Sequence, residues 1–277
     1  MRTRIGIIAG GGQFPYLFAE AAKKEGLEVV IVAHKGESHP DLESIADRFC
    51  WVKLGQLGKI IKFFRDEEVR ETVFLGTITK TRIFRDVLPD LKGISLWNKI
   101  DIKQDDAILR AIAGELEKEG ISVLDSTLYL KHLLFPPGVL TKKKPSADQR
   151  RDIEFGFQVA RAVGRLDIGQ CVVVRDMSVV AVEAIEGTDA AIRRGGALAR
   201  EKAVVVKVKK PSQDFRFDLP ATGLATIESM LAVKAAVLAV EAGQSLLFDR
   251  EAMIRQADRA GLVVVGVTEE ADGSLVF

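Results

Sequence analysis

The stretch Gln213-Asp214-Phe215-Arg216-Phe217-Asp218-Leu219-Pro220-Ala221-Thr222-Gly223 carries residue types suited to work on a phosphate. Asp218 stands between an apolar run that reads as a strand, Ala203 to Val208, and one that reads as a long buried helix, Leu224 to Ala242. A carboxylate held there, with Arg216 two residues earlier, can hold a metal ion or orient water. Helix capping, with Pro220 in the first turn, accounts for the same aspartate without chemistry. A second acidic group, Glu183, Glu186 and Asp189, falls at a strand-to-helix corner. Grouped oxygens suit Mg²⁺, which takes one or two carboxylates plus substrate phosphates and keeps several waters. Thr188 as N-cap and Asp189 at the first helical position explain themselves as capping. Glu183 and Glu186 have no such explanation, so the corner reads as functional.

Two loops could seat the anion. Gly10-Gly11-Gly12-Gln13 follows the first apolar run. Consecutive glycines let backbone amides approach a ligand beside a helix start, which attracts negative charge. A tight turn needing positive φ is the plainer account. The spacing is not G-x-G-x-x-G, and the second strand ends Ala33-His34-Lys35 with no acid to hold a ribose. No P-loop motif occurs. The other loop is Gly76-Thr77-Ile78-Thr79-Lys80. In an open parallel sheet both loops would border the crevice outside the strands' carboxyl ends. Lys80 could pair with a phosphate, although a loop lysine is ordinarily just solvated. Asp105 and Asp106, after Lys103-Gln104, suit a helix dipole better than a metal.

These residues need a scaffold of repeated βα units. Arg4 to Ala9, a helix from Tyr16 to Lys24 and Leu27 to Ala33 read as strand, helix, strand. Further strands are expected at Phe49 to Leu54, Glu71 to Leu75 and Ile121 to Leu124, with helices at Lys59 to Glu67 and Asp105 to Glu119. This order predicts an α/β fold, with an amino-terminal Rossmann-like, doubly wound parallel sheet domain over 1–134. Pro136-Pro137-Gly138 and Lys142-Lys143-Lys144 mark a linker over 135–146. A carboxy-terminal α/β domain, 147–277, would carry the carboxylates. Its expected parts are a helix from Ala147 to Val163, a hairpin of Gly169 to Val174 with Ser178 to Ala184, and a helix from Ala190 to Arg200. A helix from Asp249 to Ala260 and a strand from Leu262 to Val267 close the chain.

Composition narrows the class. The 277 residues carry 40 basic and 39 acidic side chains, a net charge of +1, which speaks against a general nucleic-acid binder. Two distant cysteines and three scattered histidines offer neither a disulfide framework nor a histidine metal cage. The first apolar segment is too short for a signal peptide, so a cytoplasmic location is expected. The lysine run could face anionic lipid, but three lysines are a modest signal.

Taken together, Ile8-Ala9-Gly10-Gly11-Gly12, Gly164-Arg165-Leu166-Asp167-Ile168-Gly169-Gln170, Val182 to Asp189 and Asp218-Leu219-Pro220-Ala221-Thr222-Gly223 resemble the LpxI family in order and spacing. The similarity covers essentially the whole chain. It implies a Mg²⁺-dependent hydrolase of lipid A biosynthesis that cuts the pyrophosphate of UDP-2,3-diacylglucosamine. The products would be UMP and lipid X, with attack on the sugar-side phosphorus and a ligand cleft between two domains. The family's essential aspartate falls on Asp218. The substrate seat is then expected to draw on Gly10, Gly11, Gly12, Gln13, Thr77, Lys80, Thr188, Arg216 and Thr222. The metal would draw on Asp218, Glu183, Glu186 and Asp189. An amphiphilic nucleotide-sugar also implies transient contact with the inner membrane surface and leaves oligomerisation open. Two rivals stand beside this reading: a sugar-nucleotide or nicotinamide oxidoreductase, and a non-catalytic binder of a lipid-linked nucleotide.

Overall fold

The computed structural model describes residues 3–79, 88–98, 105–211, 213–217 and 219–277, without the side chains of Asp105 and Asp106. Asp218, Lys80, Lys103 and Gln104 therefore lie outside the described residues. The chain divides into an amino-terminal unit, Met1–Lys131 with Asp214–Asp218, and a carboxy-terminal unit, His132–Gln213 with Leu219–Phe277.

The amino-terminal unit is built on five strands: β1 (Arg4–Ala9), β2 (Glu28–His34), β3 (Arg48–Val52), β4 (Glu71–Leu75) and β5 (Ser122–Val123). They lie in the order β3-β2-β1-β4-β5 with every neighbouring pair parallel. Helices Phe14–Lys24, Leu57–Asp66 and Asp105–Lys118 connect them. From β1 the chain moves to β2 and outward to β3, then returns to β4 on the other side of β1. The carboxyl ends of β1 and β4 thus flank the point where strand order reverses, the usual ligand position in such sheets.

The carboxy-terminal unit contains β6 (Gly138–Val139), β7 (Cys171–Arg175), β8 (Ser178–Val182), β9 (Val204–Lys207), β10 (Ala221–Thr222), β11 (Val237–Glu241), β12 (Leu246–Leu247), β13 (Val263–Glu269) and β14 (Leu275–Val276). A mixed sheet runs β14-β13-β11-β9-β7-β8, with β6 added to β13, while β10 and β12 form a separate parallel pair. β9, β11 and β13 are parallel neighbours, and β7 and β8 turn antiparallel. Val205, Leu238 and Val264 enter one core on one sheet face; Val204, Val237 and Val263 enter another on the opposite face. Burial on both faces is why these strands read as unbroken apolar runs.

Two expectations change here. Leu224 to Ala242 is not one helix: the helix ends at Ala232, Lys234 turns through φ 53°, and β11 takes Val237–Glu241 into the sheet centre. An all-apolar run has no period to separate helix from strand, and here strand partners on both sides decide it. The stretch 135–146, expected as a linker, is packed into the carboxy-terminal unit. Phe135 is 1% exposed, Gly138–Val139 pairs with β13, and the Thr141 hydroxyl accepts the Val264 amide at 3.0 Å. Among the described residues no helix is long and apolar enough to cross a membrane.

The β7–β8 hairpin turns at Asp176 and Met177, both at positive φ (49° and 61°), the twist that tight hairpins prefer. Neither is glycine, so the turn needs outside support. It comes from Asp152, buried on helix Ala147–Arg165, whose carboxylate accepts the Met177 amide at 2.6 Å and the Asp176 amide at 3.2 Å. Asp152→Ala is expected to destabilise the fold by about 1–3 kcal/mol, the cost of leaving such amides without their charged acceptor. Urea unfolding checks this; an unchanged midpoint removes Asp152 as the support.

Candidate functional site

In the amino-terminal unit the two predicted loops meet directly. The Gly10 amide donates to the Leu75 carbonyl at 2.8 Å, and Gly11 and Thr77 exchange amide-to-carbonyl bonds at 2.7 and 3.1 Å. A Cβ on Gly10 would lie 2.5 Å from the Thr77 carbonyl oxygen, and one on Gly76 2.3 Å from that of Gly11. These glycines are there so that backbones can touch. The Gly10 and Gly11 amides serve that contact; Gly12 (φ 85°) and Gln13 lead on into helix Phe14–Lys24.

Sequence reasoning missed the third loop, Lys35 to Ser38. Ser38 Oγ donates to the Ala9 carbonyl at 2.7 Å and accepts the His34 amide at 2.9 Å. Glu37 accepts both the amide and the hydroxyl of Thr79, at 3.2 and 3.0 Å. The available signal was position, because this loop leaves the carboxyl end of the strand beside β1. A hollow of about 630 Å³, in the size range of small-ligand pockets, is lined by Gly12, Gln13, Tyr16, Glu37, Ser38 and His39 among others. Buried His34 places Nδ1 2.9 Å from the Ala9 carbonyl, which only an N–H can satisfy, so the neutral ring carries its proton there.

The carboxy-terminal unit gathers a second group at the ends of β7 and β9. Lys207 pairs across the sheet with Cys171 and is 4% exposed; its ammonium donates to the Ala221 carbonyl at 2.6 Å. Glu183, 6% exposed, accepts the Thr188 hydroxyl at 2.9 Å and the Gln170 amide at 3.3 Å. Burial pushes the Cys171 thiol above its ordinary range; Glu183 and Asp189 add to that and Lys207 opposes it. Lys207, Glu183 and Asp189 therefore all act on one buried point. Thr222, on β10, is 1% exposed, and among the described residues neither its hydroxyl nor that of Ser245 has a partner.

Other predicted residues have different work. Thr188 is the first helical residue rather than the cap, which is Gly187 at φ 83°, because its hydroxyl is drawn to Glu183. Glu186 accepts from Arg194 at 2.6 Å and from the Ala184 amide at 3.1 Å; the Arg194 bond, above all, lowers its pKa. It is a clamp on the corner. Among the described residues no group of three or more His, Cys, Asp or Glu could hold a metal ion, so Glu183, Glu186 and Asp189 do not form one by themselves. Asp167 pairs with buried Lys210 at 2.5 Å, and a Cβ on Gly169 would meet the Glu183 carbonyl at 2.1 Å. The Arg165 to Gln170 motif is thus the buttress of Glu183.

The residues that precede Asp218 in sequence are anchored in the amino-terminal unit. Phe217 belongs to the amino-terminal core, edge-on to Phe74 with ring centroids 5.6 Å apart, and Ser126 Oγ donates to the Phe215 carbonyl at 2.7 Å. Arg216 bonds Asp214 through Nε and Nη2, at 3.1 and 2.9 Å, and reaches Glu117 through Nη1 at 3.2 Å. The Arg216 bond is the main cause holding the Asp214 carboxyl below its usual range. Arg216 anchors this segment, and its charge is already matched.

Burial, against the Ala9 bond and the Glu37 charge, holds the His34 pKa below the ordinary value. The unfolded chain therefore takes up the proton first, and stability falls as pH drops through the unfolded value, about 6.5, towards the folded one. Thermal melting at pH 7.5 and 5.5 should show a larger loss for the parent chain than for His34→Gln. Equal losses would assign the acid sensitivity elsewhere.

Models of the LpxI N-terminal domain and the LpxI C-terminal domain match residues 4–133 and 136–265. A protein of Caulobacter vibrioides named UDP-2,3-diacylglucosamine pyrophosphatase LpxI is 36% identical over 277 residues, 95% of this chain and 97% of that protein. Among solved structures, phosphoribosylglycinamide synthetase from Anaerococcus prevotii is 14% identical with a TM-score of 0.26, covering 63% of this chain and 32% of that one. The biotin carboxylase subunit of pyruvate carboxylase is 13% identical with a TM-score of 0.27, covering 67% and 39%. This chain spans well under half of either, and overlaps so loose carry no argument. Both domain models and the full-length relative agree in order and extent, and the chain belongs to the LpxI family.

Proposed function

We propose that this chain hydrolyses the pyrophosphate of UDP-2,3-diacylglucosamine to UMP and 2,3-diacylglucosamine 1-phosphate. The observation that carries the reading is 36% identity, along nearly the whole chain, to a relative bearing that activity in its name. The parallel order β3-β2-β1-β4-β5 supports a Rossmann-like amino-terminal domain, with the nucleotide seated at the glycine loops. Buried Lys207 supports an anionic ligand at the other group.

In the proposed step Asp218 orients a water molecule and takes its proton. The water oxygen bonds to the sugar-side phosphorus, the anhydride P–O bond breaks, and its electron pair leaves with UMP. Mg²⁺ needs few protein oxygens when phosphates supply the rest, so one carboxylate, Asp218, suffices as its proposed protein ligand, whereas Glu186 is held by Arg194. When bound, such an ion would neutralise charge on the pyrophosphate. A diacylated substrate also brings the protein into transient contact with a membrane surface.

Thin-layer separation of the products tests the reading directly: purified protein with Mg²⁺ should release UMP and the sugar phosphate, and chelation should stop it. Asp218→Ala should lose about a hundred- to thousand-fold in turnover while still binding substrate, the usual loss for a group acting in the transition state. Near-normal turnover in that variant would exclude Asp218 from the step.

A further inference from the structure

A lysine ammonium taken out of water is costly unless an anion or a full set of acceptors meets it. Lys207 is 4% exposed, yet among the described residues it forms no ion pair within 4 Å, and its one hydrogen bond is to the neutral Ala221 carbonyl. The other buried lysine nearby, Lys210, has its carboxylate in Asp167. Lys207 has three donors and spends one. The residue after its acceptor is Thr222, whose buried hydroxyl has no partner among the described residues. Ser245, in the bend just before β12, carries a second buried hydroxyl without a partner among the described residues. Unpaired buried polar groups of this kind are uncommon and ask for a ligand.

We propose that Lys207, with the Thr222 hydroxyl, binds a phosphoryl group in the carboxy-terminal unit. The site takes a phosphate or pyrophosphate oxygen as the missing counterion. Identifying that group as part of the nucleotide-sugar pyrophosphate rests on the proposed function; the anion site itself does not. Glu183 is held by Thr188 and Gln170 and bounds the site without supplying Lys207 with an ion pair. Sequence reading passed over Lys207 because one lysine at the end of a valine strand is ordinarily exposed.

The test uses the full chain with inorganic pyrophosphate and, separately, UMP as probes, read by thermal shift and calorimetry. A ligand that binds only the folded state raises the melting temperature by mass action. Lys207→Met should weaken pyrophosphate binding at least about tenfold, as expected for a charged hydrogen bond, and Lys207→Arg should restore part of it. Thr222→Val, nearly isosteric, should weaken it about fivefold, and it carries the test if Lys207→Met does not fold. In the hydrolysis assay both variants should raise KM. A Lys207→Met protein that melts differently but binds pyrophosphate as the parent does would overturn the proposal, since Lys207 would then merely balance Glu183 and Asp189. Pyrophosphate binding that depends on Lys207 in a chain that does not cleave the nucleotide-sugar would sustain the site and refute the proposed function.

Discussion

The central strands of the two larger sheets exclude water from both faces, and that constraint governs where chemistry can occur. β1, β2 and β4 in one unit, and β9, β11 and β13 in the other, are buried almost from end to end. A charged group along a strand with no solvated face would be costly to bury. Polar side chains are displaced to the carboxyl ends, where loops replace neighbouring strands. His34, Lys207 and Glu241 each end a strand after an apolar run.

What happens at those ends depends on how the charge is met. Arg161 bonds Glu241 at 2.8 Å and Glu269 at 2.9 Å, and its guanidinium lies 5.2 Å from the Phe157 ring centroid. Burial raises the Glu241 pKa, and the Lys209 amide and Arg161 counter it. That group is internally balanced and reads as structure. Lys210 with Asp167, and Arg216 with Asp214 and Glu117, are balanced too. Lys207 stands apart from them. A buried charge met, among the described residues, by a single neutral carbonyl is the kind of local inconsistency that folds tolerate at functional sites.

Much of the architecture was legible in sequence because it is local. Glu71 to Leu75 forms β4 at the expected bounds, and the helix expected from Ala147 to Val163 runs to Arg165 behind a complete Ser146–Gln149 capping box. The hairpin expected between Gly169 to Val174 and Ser178 to Ala184 forms as β7 and β8. Errors arose where local rules are silent. Leu224 to Ala242 carries no glycine or proline break, so only the neighbours β9 and β13 could make its second half a strand. Thr188 has the chemistry of a cap, and a buried glutamate took its hydroxyl instead.

The sequence by itself determined the βα rhythm, the glycine loops at the first crossover and the family motifs, since each depends on residues close in the chain. The tertiary structure alone decided which polar groups are spent and which remain. Arg216 is matched by Glu117, 99 residues away, Lys210 by Asp167, 43 away, and Thr79 by Glu37, 42 away. Pairing and desolvation are properties of groups brought together in space. A lysine reads the same in sequence whether water, a carboxylate or a phosphate is to neutralise it.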